Sequence, residues 1–138
     1  MNRHVFTVYG SPVAQGRPRF ARAGNFVRAY DPAKSKGWKQ DVKAQVLSAL
    51  GGVPEIHEGP LELQVVFHLP RPKSLPKKVI HHVKKPDCTN LVKGIEDGLN
   101  GILWRDDSQL VGVVLRKQYG ELPRVVIEIR EAQDAPAT

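Results

Sequence analysis

Leu61-Glu62-Leu63-Gln64-Val65-Val66-Phe67-His68-Leu69 places Leu61, Leu63, Val65 and Phe67 at every second position. A period of two sends those side chains to one face of an extended chain, so the stretch reads as a strand laid on a core. Downstream, residues 70–86 carry Pro70, Pro72, Pro76 and Pro86 together with six lysines and arginines, a composition that predicts a long basic loop. Leu91, Ile95 and Leu99 then recur every four residues, predicting a helix from about Thr89-Asn90 to Asn100-Gly101. Upstream, Trp38, Val42, Val46 and Leu50 mark another helix, opened by Asp31-Pro32 and closed by Gly51-Gly52. His4 to Tyr9, Leu110 to Leu115 and Arg124 to Ile129 read as further strands, with Gly120 as a break between the last two. Phe26-Val27-Arg28, after the turn Ala23-Gly24-Asn25, reads as a hairpin arm. The sum is a single α+β domain over residues 1–131, a mixed β-sheet packed with two main helices, and residues 132–138 are expected to be a disordered tail.

The chain of 138 residues is 41% hydrophobic and 25% charged, a globular balance that excludes wholesale disorder. No apolar run approaches the ~20 residues that a membrane helix needs, and Met1-Asn2-Arg3-His4 leads into a strand-like stretch. Cys88 is the single cysteine, which excludes an internal disulfide and a cysteine-only zinc site. That fits a reducing compartment, so the expected setting is the cytoplasm, with no membrane partner. A net charge of +7 points to an acidic partner, most simply nucleic acid. That charge is uneven: residues 1–50 carry +7, residues 51–86 carry +3 and residues 87–138 carry −3. Asp87, Glu96, Asp97, Asp106 and Asp107 gather within 21 residues of this last segment. Carboxylates repel DNA, so such a cluster in a basic chain implies a cation that neutralises it.

Asp87 sits where the basic loop enters a helix, and Asp106-Asp107 falls in a turn ahead of a strand. Both are rigid mounts. Mg²⁺ takes oxygen ligands, usually one or two carboxylates with water and substrate phosphate completing the shell, a requirement that Asp87 plus Asp107 meets. Spacing alone also allows a plainer reading, in which the paired aspartates form a turn and Asp87 caps the helix. Lys93 lies four residues before Asp97 and is within reach of it along a helix surface.

Residue identities add to the spacing. Lys85-Pro86-Asp87-x-x-Asn90-Leu91-x-Lys93, then Asp97, Leu99-Asn100-Gly101 and Asp106-Asp107-Ser108-Gln109, resemble the RusA family of Holliday junction resolvases. These are small endodeoxyribonucleases, often carried by prophages, that cut four-way DNA junctions. The detailed resemblance covers Lys85 to Gln109, and the N-terminal strand, Gly16-Arg17-Pro18-Arg19 and the closing strands agree more loosely. It implies a RusA-like fold, a homodimer, branched double-stranded DNA as the partner, roles in recombination and repair, and Mg²⁺, with Mn²⁺ as a substitute. The family's first metal-binding aspartate falls on Asp87, its essential lysine on Lys93 and its last metal-binding aspartate on Asp107, with Asp106 beside it. Asp87, Lys93 and Asp107 are thus the implied catalytic residues, and Asp87, Asp106 and Asp107 the implied metal ligands. The family's second aspartate falls on Thr89, which is neutral; Asp106, Asp97 or Glu96 are the available replacements. Thr89 itself reads as a helix cap.

Arg17, Arg19, Arg22, Arg28, Lys73, Lys77, Lys78, Lys84 and Lys85 are the expected phosphate contacts. Aromatic residues are few, at 7%, and no recognition-helix or zinc-finger motif occurs, so recognition by backbone and branch shape is expected over base reading. His81-His82 read as loop residues, Cys88 as a small buried side chain at a helix start, and Trp38 and Trp104 as core. Besides a Mg²⁺-dependent nuclease on branched DNA, the same residues allow a junction binder that cuts weakly for want of a carboxylate at position 89. They also allow a basic interaction domain in which the acidic turn only caps a helix.

Overall fold

The computed structural model describes residues 3–15, 19–24, 26–30 and 33–134. Strands β1 (His4–Tyr9), β4 (Leu61–Pro70), β5 (Leu110–Gly120) and β6 (Arg124–Glu131) form a sheet of order β1-β6-β4-β5. β6 runs antiparallel to both β1 and β4, whereas β4 and β5 are parallel, so the sheet is mixed as expected. β2 (Arg19–Ala23) and β3 (Phe26–Tyr30) pair separately as an antiparallel hairpin. Helices α1 (Ala33–Ala49) and α2 (Cys88–Leu99) complete the domain. No helix among the described residues is long and apolar enough to cross a membrane.

The alternation in β4 is obeyed throughout: Leu61, Leu63, Val65, Phe67 and Leu69 are all buried. They meet Val125, Ile127 and Ile129 of β6, Phe6 and Val8 of β1, Trp38, Val42 and Val46 of α1, and Leu91, Ile95 and Leu99 of α2. Apolar burial at one face per element is the force that assembles these layers. The expected cap of α1, Asp31-Pro32, lies outside the described residues. Its end at Gly51-Gly52 is as expected, with φ of 79° and 88° and the Gly52 N–H donating to the Leu47 carbonyl at 2.7 Å.

Gly94 sits in the middle of α2 and Gly98 in its last turn, although glycine inside a helix normally weakens it by about 1 kcal/mol. A Cβ at Gly94 would stand 3.1 Å from Trp38, and one at Gly98 would stand 3.1 Å from the Lys39 carbonyl and from Val42. The glycines let α1 and α2 approach that closely, and the Lys39–Asp97 ion pair at 3.0 Å spans the same contact. Asp97 therefore pairs across the helices with Lys39, not along α2 with Lys93.

β5 runs five residues beyond the expected Leu115. Arg116, Lys117 and Gln118 break the apolar alternation, yet β4 pairs with them up to Gly120. On the outer side, the Tyr119 N–H donates to the Ile80 carbonyl at 2.8 Å and Gln118 bridges to His81. The basic loop thus covers the end of this edge strand and leaves Leu110 to Arg116 without a neighbour among the described residues. Residues 135–138 of the expected tail lie outside the described set, and 132–134 form no helix or strand.

Candidate active site

The loop ahead of α2 is pinned from below. The Lys117 ammonium of β5 donates to the carbonyls of Lys84 and Pro86. Arg71 lies 5.8 Å over the Tyr119 ring and donates to the Pro76 carbonyl at 3.0 Å, while the His82 ring packs on Tyr119 at 4.9 Å. Burial, with help from the Lys117 charge, holds His82 below the ordinary histidine pKa. Lys73, Lys77, Lys78, Lys84 and Lys85 are exposed on this anchored loop, and Arg22 is exposed on β2. Arg17 lies outside the described residues; Arg19 and Arg28 belong to β2 and β3, with side chains outside the described set.

Asp87 follows as the N-cap residue of α2, but its side chain makes no capping bond. Among the described residues it has no ion pair either, and it is exposed. It borders an open groove of about 550 Å³ whose walls include Pro12, Val13, Ala14, Lys34, Lys85 and Asn90. The Gln15 N–H, bonded to the Asn90 carbonyl at 3.0 Å, ties the far wall to α2. Thr89 is not the cap: it is exposed, one residue inside the helix, because the chain turns helical at Cys88. Cys88 is half-buried, not fully buried as expected.

The double aspartate divides its labour. Asp106 is exposed, takes a 2.8 Å hydrogen bond from Ser108 Oγ, and opens the short 3₁₀ turn Asp107–Gln109. Gln109 fixes that turn, its Oε1 accepting from the N–H of Arg105 and of Asp106 and its Nε2 donating to the His57 and Gly59 carbonyls. Asp107 turns inward instead. Its Oδ1 accepts from Trp104 Nε1 at 2.7 Å and from Asn100 Nδ2 at 3.3 Å. Trp104 is core, as expected, and its indole N–H also aims the carboxylate.

Glu96, expected as one of several replacements for the missing carboxylate, is half-buried. Burial first, then the nearby charges of Asp107 and Asp97, push the Glu96 carboxyl above its ordinary value, and the Lys93 ammonium opposes them. Asp107, Glu96 and Lys93 thus share one neighbourhood. Lys93 is exposed and makes no ion pair among the described residues.

Asp87 does not join them within one chain. Asp107 is bonded to Asn100, the C-cap of α2, while Asp87 is the N-cap, and a helix of 12 residues is roughly 18 Å long. β5 gives a second ruler. Asp107 lies beside its start at Leu110, whereas Lys117 holds the loop before Asp87, and Leu110 to Lys117 extends roughly 23 Å. Two oxygens on one Mg²⁺ lie within about 4 Å of each other. Within the single chain the structure therefore does not bring Asp87 and Asp107 together. Among the described residues, the group of three metal-binding side chains that does converge is His4, Glu55 and His57.

The profile of the RusA endodeoxyribonucleases matches residues 9–130. The chain belongs to the RusA family. The match runs from the end of β1 to the last residues of β6 and so includes both ends of α2 and the basic loop. The Bacillus subtilis (strain 168) protein YqaN, whose own description records no activity, is 44% identical over 137 residues, covering 91% of this chain and 94% of the relative.

Proposed function

We propose that this RusA-family chain is a divalent-cation-dependent endodeoxyribonuclease that resolves four-way DNA junctions in recombination and repair, working as a homodimer. The observation that carries the reading is Asp87, an exposed carboxylate with no ion pair among the described residues, in an open groove edged by Lys34 and Lys85 at the family's metal position. DNA repels a bare carboxylate in such a place; a cation makes the placement productive.

The donors suit Mg²⁺ or Mn²⁺. All are carboxylate oxygens, Asp87 has both of its own available, and Asp107 keeps Oδ2 after Oδ1 accepts its two hydrogen bonds. Asp87, Asp107 and Glu96 would hold the ions, with Asp106 on the solvent side of the turn. Divalent cations supply phosphodiester hydrolysis with charge neutralisation and an activated water. The chain's own part is to position the DNA. Lysines 73, 77, 78, 84 and 85 grip phosphates on the flank of Asp87, and Lys93 offers an ammonium to charge developing on phosphate.

The distance between Asp87 and Asp107 supports the dimer. Val111, Val113 and Val114 are 64%, 42% and 60% exposed on the open stretch of edge strand β5. Uncovered apolar edges invite a further strand. Antiparallel pairing of β5 with its copy about a two-fold axis would set the start of one strand against the end of the other. Asp107 of one protomer would then stand beside Asp87 of its partner, giving two composite sites for the two strands that must be cut.

Incubation of a synthetic four-way junction and a linear duplex with the protein, with and without Mg²⁺, tests the reading. Paired, metal-dependent cuts in the junction alone are expected. Junction-selective binding without cutting would support the alternative of a binding protein, and the absence of both cutting and selective binding would refute both readings.

A further inference from the structure

We propose that His4, Glu55 and His57 form a binding site for a borderline transition-metal ion of the Zn²⁺ class, separate from the carboxylates at the ends of α2. One ligand atom from each of the three lies within 4.8 Å of the others, close enough for one ion to draw them together. The His4 and His57 rings stand 5.4 Å apart, tilted by 40°. His57 Nε2 is buried and has no hydrogen-bond partner among the described residues. Buried polar atoms are nearly always satisfied, so an orphan imidazole nitrogen beside a second imidazole and a carboxylate points to a missing ligand.

The backbone holds this arrangement in place. The Glu55 N–H donates to the Ile102 carbonyl at 3.0 Å and the His57 N–H to the Leu103 carbonyl at 2.9 Å, so residues 55–57 run extended beside 102–104. Residues two apart in an extended chain share a face, which brings Glu55 and His57 together. His4 comes from the first position of β1, 51 residues before Glu55 in sequence. Two imidazoles and one carboxylate match the three-ligand zinc sites that leave a fourth position open, and imidazole nitrogen disfavours Mg²⁺. The site also touches the nuclease end of the molecule, since the His57 carbonyl accepts from Gln109, which fixes the Asp106-Asp107 turn. An ion there would clamp β1 to the segment that backs this turn.

The test is direct binding, so it stands or falls apart from nuclease activity. Untagged, metal-free full-length protein is titrated with Zn²⁺ by calorimetry in excess Mg²⁺, with Co²⁺ absorption in a parallel arm. One ion per chain, a higher melting temperature and the Co²⁺ spectrum of a low-coordinate site are expected. His4→Gln and Glu55→Gln, both at accessible positions, should weaken Zn²⁺ binding on the order of 100-fold while the metal-free melting temperature stays put. Asp87→Asn and Asp107→Asn should bind Zn²⁺ as the parent does. No saturable Zn²⁺ binding, unchanged binding in His4→Gln and Glu55→Gln, or loss of binding in Asp107→Asn would each overturn the proposal.

Discussion

Asp87 and Asp107 stand at opposite ends of α2, and their surroundings differ in almost every respect. Asp87 is held through backbone: a loop pinned by Lys117 delivers it to a groove edged with lysines, and among the described residues no side chain bonds its carboxylate. Asp107 is held through its own oxygen, clamped by a buried tryptophan and the C-cap asparagine amid Glu96, Asp97 and Asp106. One end is basic with a free carboxylate, the other acidic with an oriented one. The first resembles a place for DNA, the second a place where a cation is required before DNA can approach. On the function proposed above, two such regions about a helix length apart are each one part of a site that a second protomer completes.

The sharpest way to break this comparison is to remove one carboxylate at a time. Asp87→Asn and Asp107→Asn should each lower junction cleavage on the order of 100-fold or more, the scale of losing a charge-stabilising group. Junction binding should be unchanged or tighter, because each substitution removes repulsion from phosphate. Mixing the two variants then discriminates sharply. In a dimer with composite sites, a mixed pair carries one site with both carboxylates intact and one with neither, so cleavage of one strand returns. If each chain holds a complete site, the mixture stays dead. Recovery of nicking with no paired cuts is the expected result on a four-way junction.

A smaller effect sharpens the contrast in how the carboxylates are held. Trp104→Phe removes the indole N–H from Asp107 and unsettles a fully buried position, so it should cost about 1–2 kcal/mol of stability as well as roughly tenfold in cleavage. Lys117→Met keeps the aliphatic stem and removes the bonds to the Lys84 and Pro86 carbonyls. It should lower cleavage by a similar factor while changing stability by less than about 1 kcal/mol. Thermal melts run beside cleavage assays separate the cases. Equal stability losses in both variants, or full activity in Lys117→Met, would show that the ends of α2 are not supported differently.

Much of this was legible in the sequence wherever one rule dominated. The strict alternation of β4 and the four-residue spacing in both helices reflect burial of a single face, and the buried residues follow. β5 was truncated in that reading because Lys117 serves the loop and not the core, so its polarity hid the strand. Asp87, Lys93 and Asp107 were recognisable from the motif, yet their separation was not, since spacing along a chain says nothing about which end of a helix folds back. Glu96 stood out only when the 3₁₀ turn brought Asp107 beside it. His4, Glu55 and His57 left no local pattern, because the cluster is made by a strand and a loop far apart in sequence.

Thr89 offers the finest test, because it sits at the basic end in the place where the family carries a second aspartate. It is exposed in the first turn of α2, two residues past the N-cap position held by Asp87. The hydroxyl is therefore not capping the helix, and Thr89→Ala should change stability by less than about 0.5 kcal/mol, where loss of a true cap costs about 1 kcal/mol. Thr89→Asp places a negative charge in the first turn, where the helix dipole favours it by about 0.3–1 kcal/mol, so the melting temperature should rise slightly. The same substitution adds a carboxylate two residues from Asp87 at the end that has one metal-binding group and several lysines. The Mg²⁺ concentration for half-maximal cleavage should then fall about tenfold, equivalent to a ligand worth ~1.4 kcal/mol. A rise in melting temperature with an unmoved metal titration would mean that position 89 points away from the ion, leaving Asp87 and the partner's acidic end to hold it.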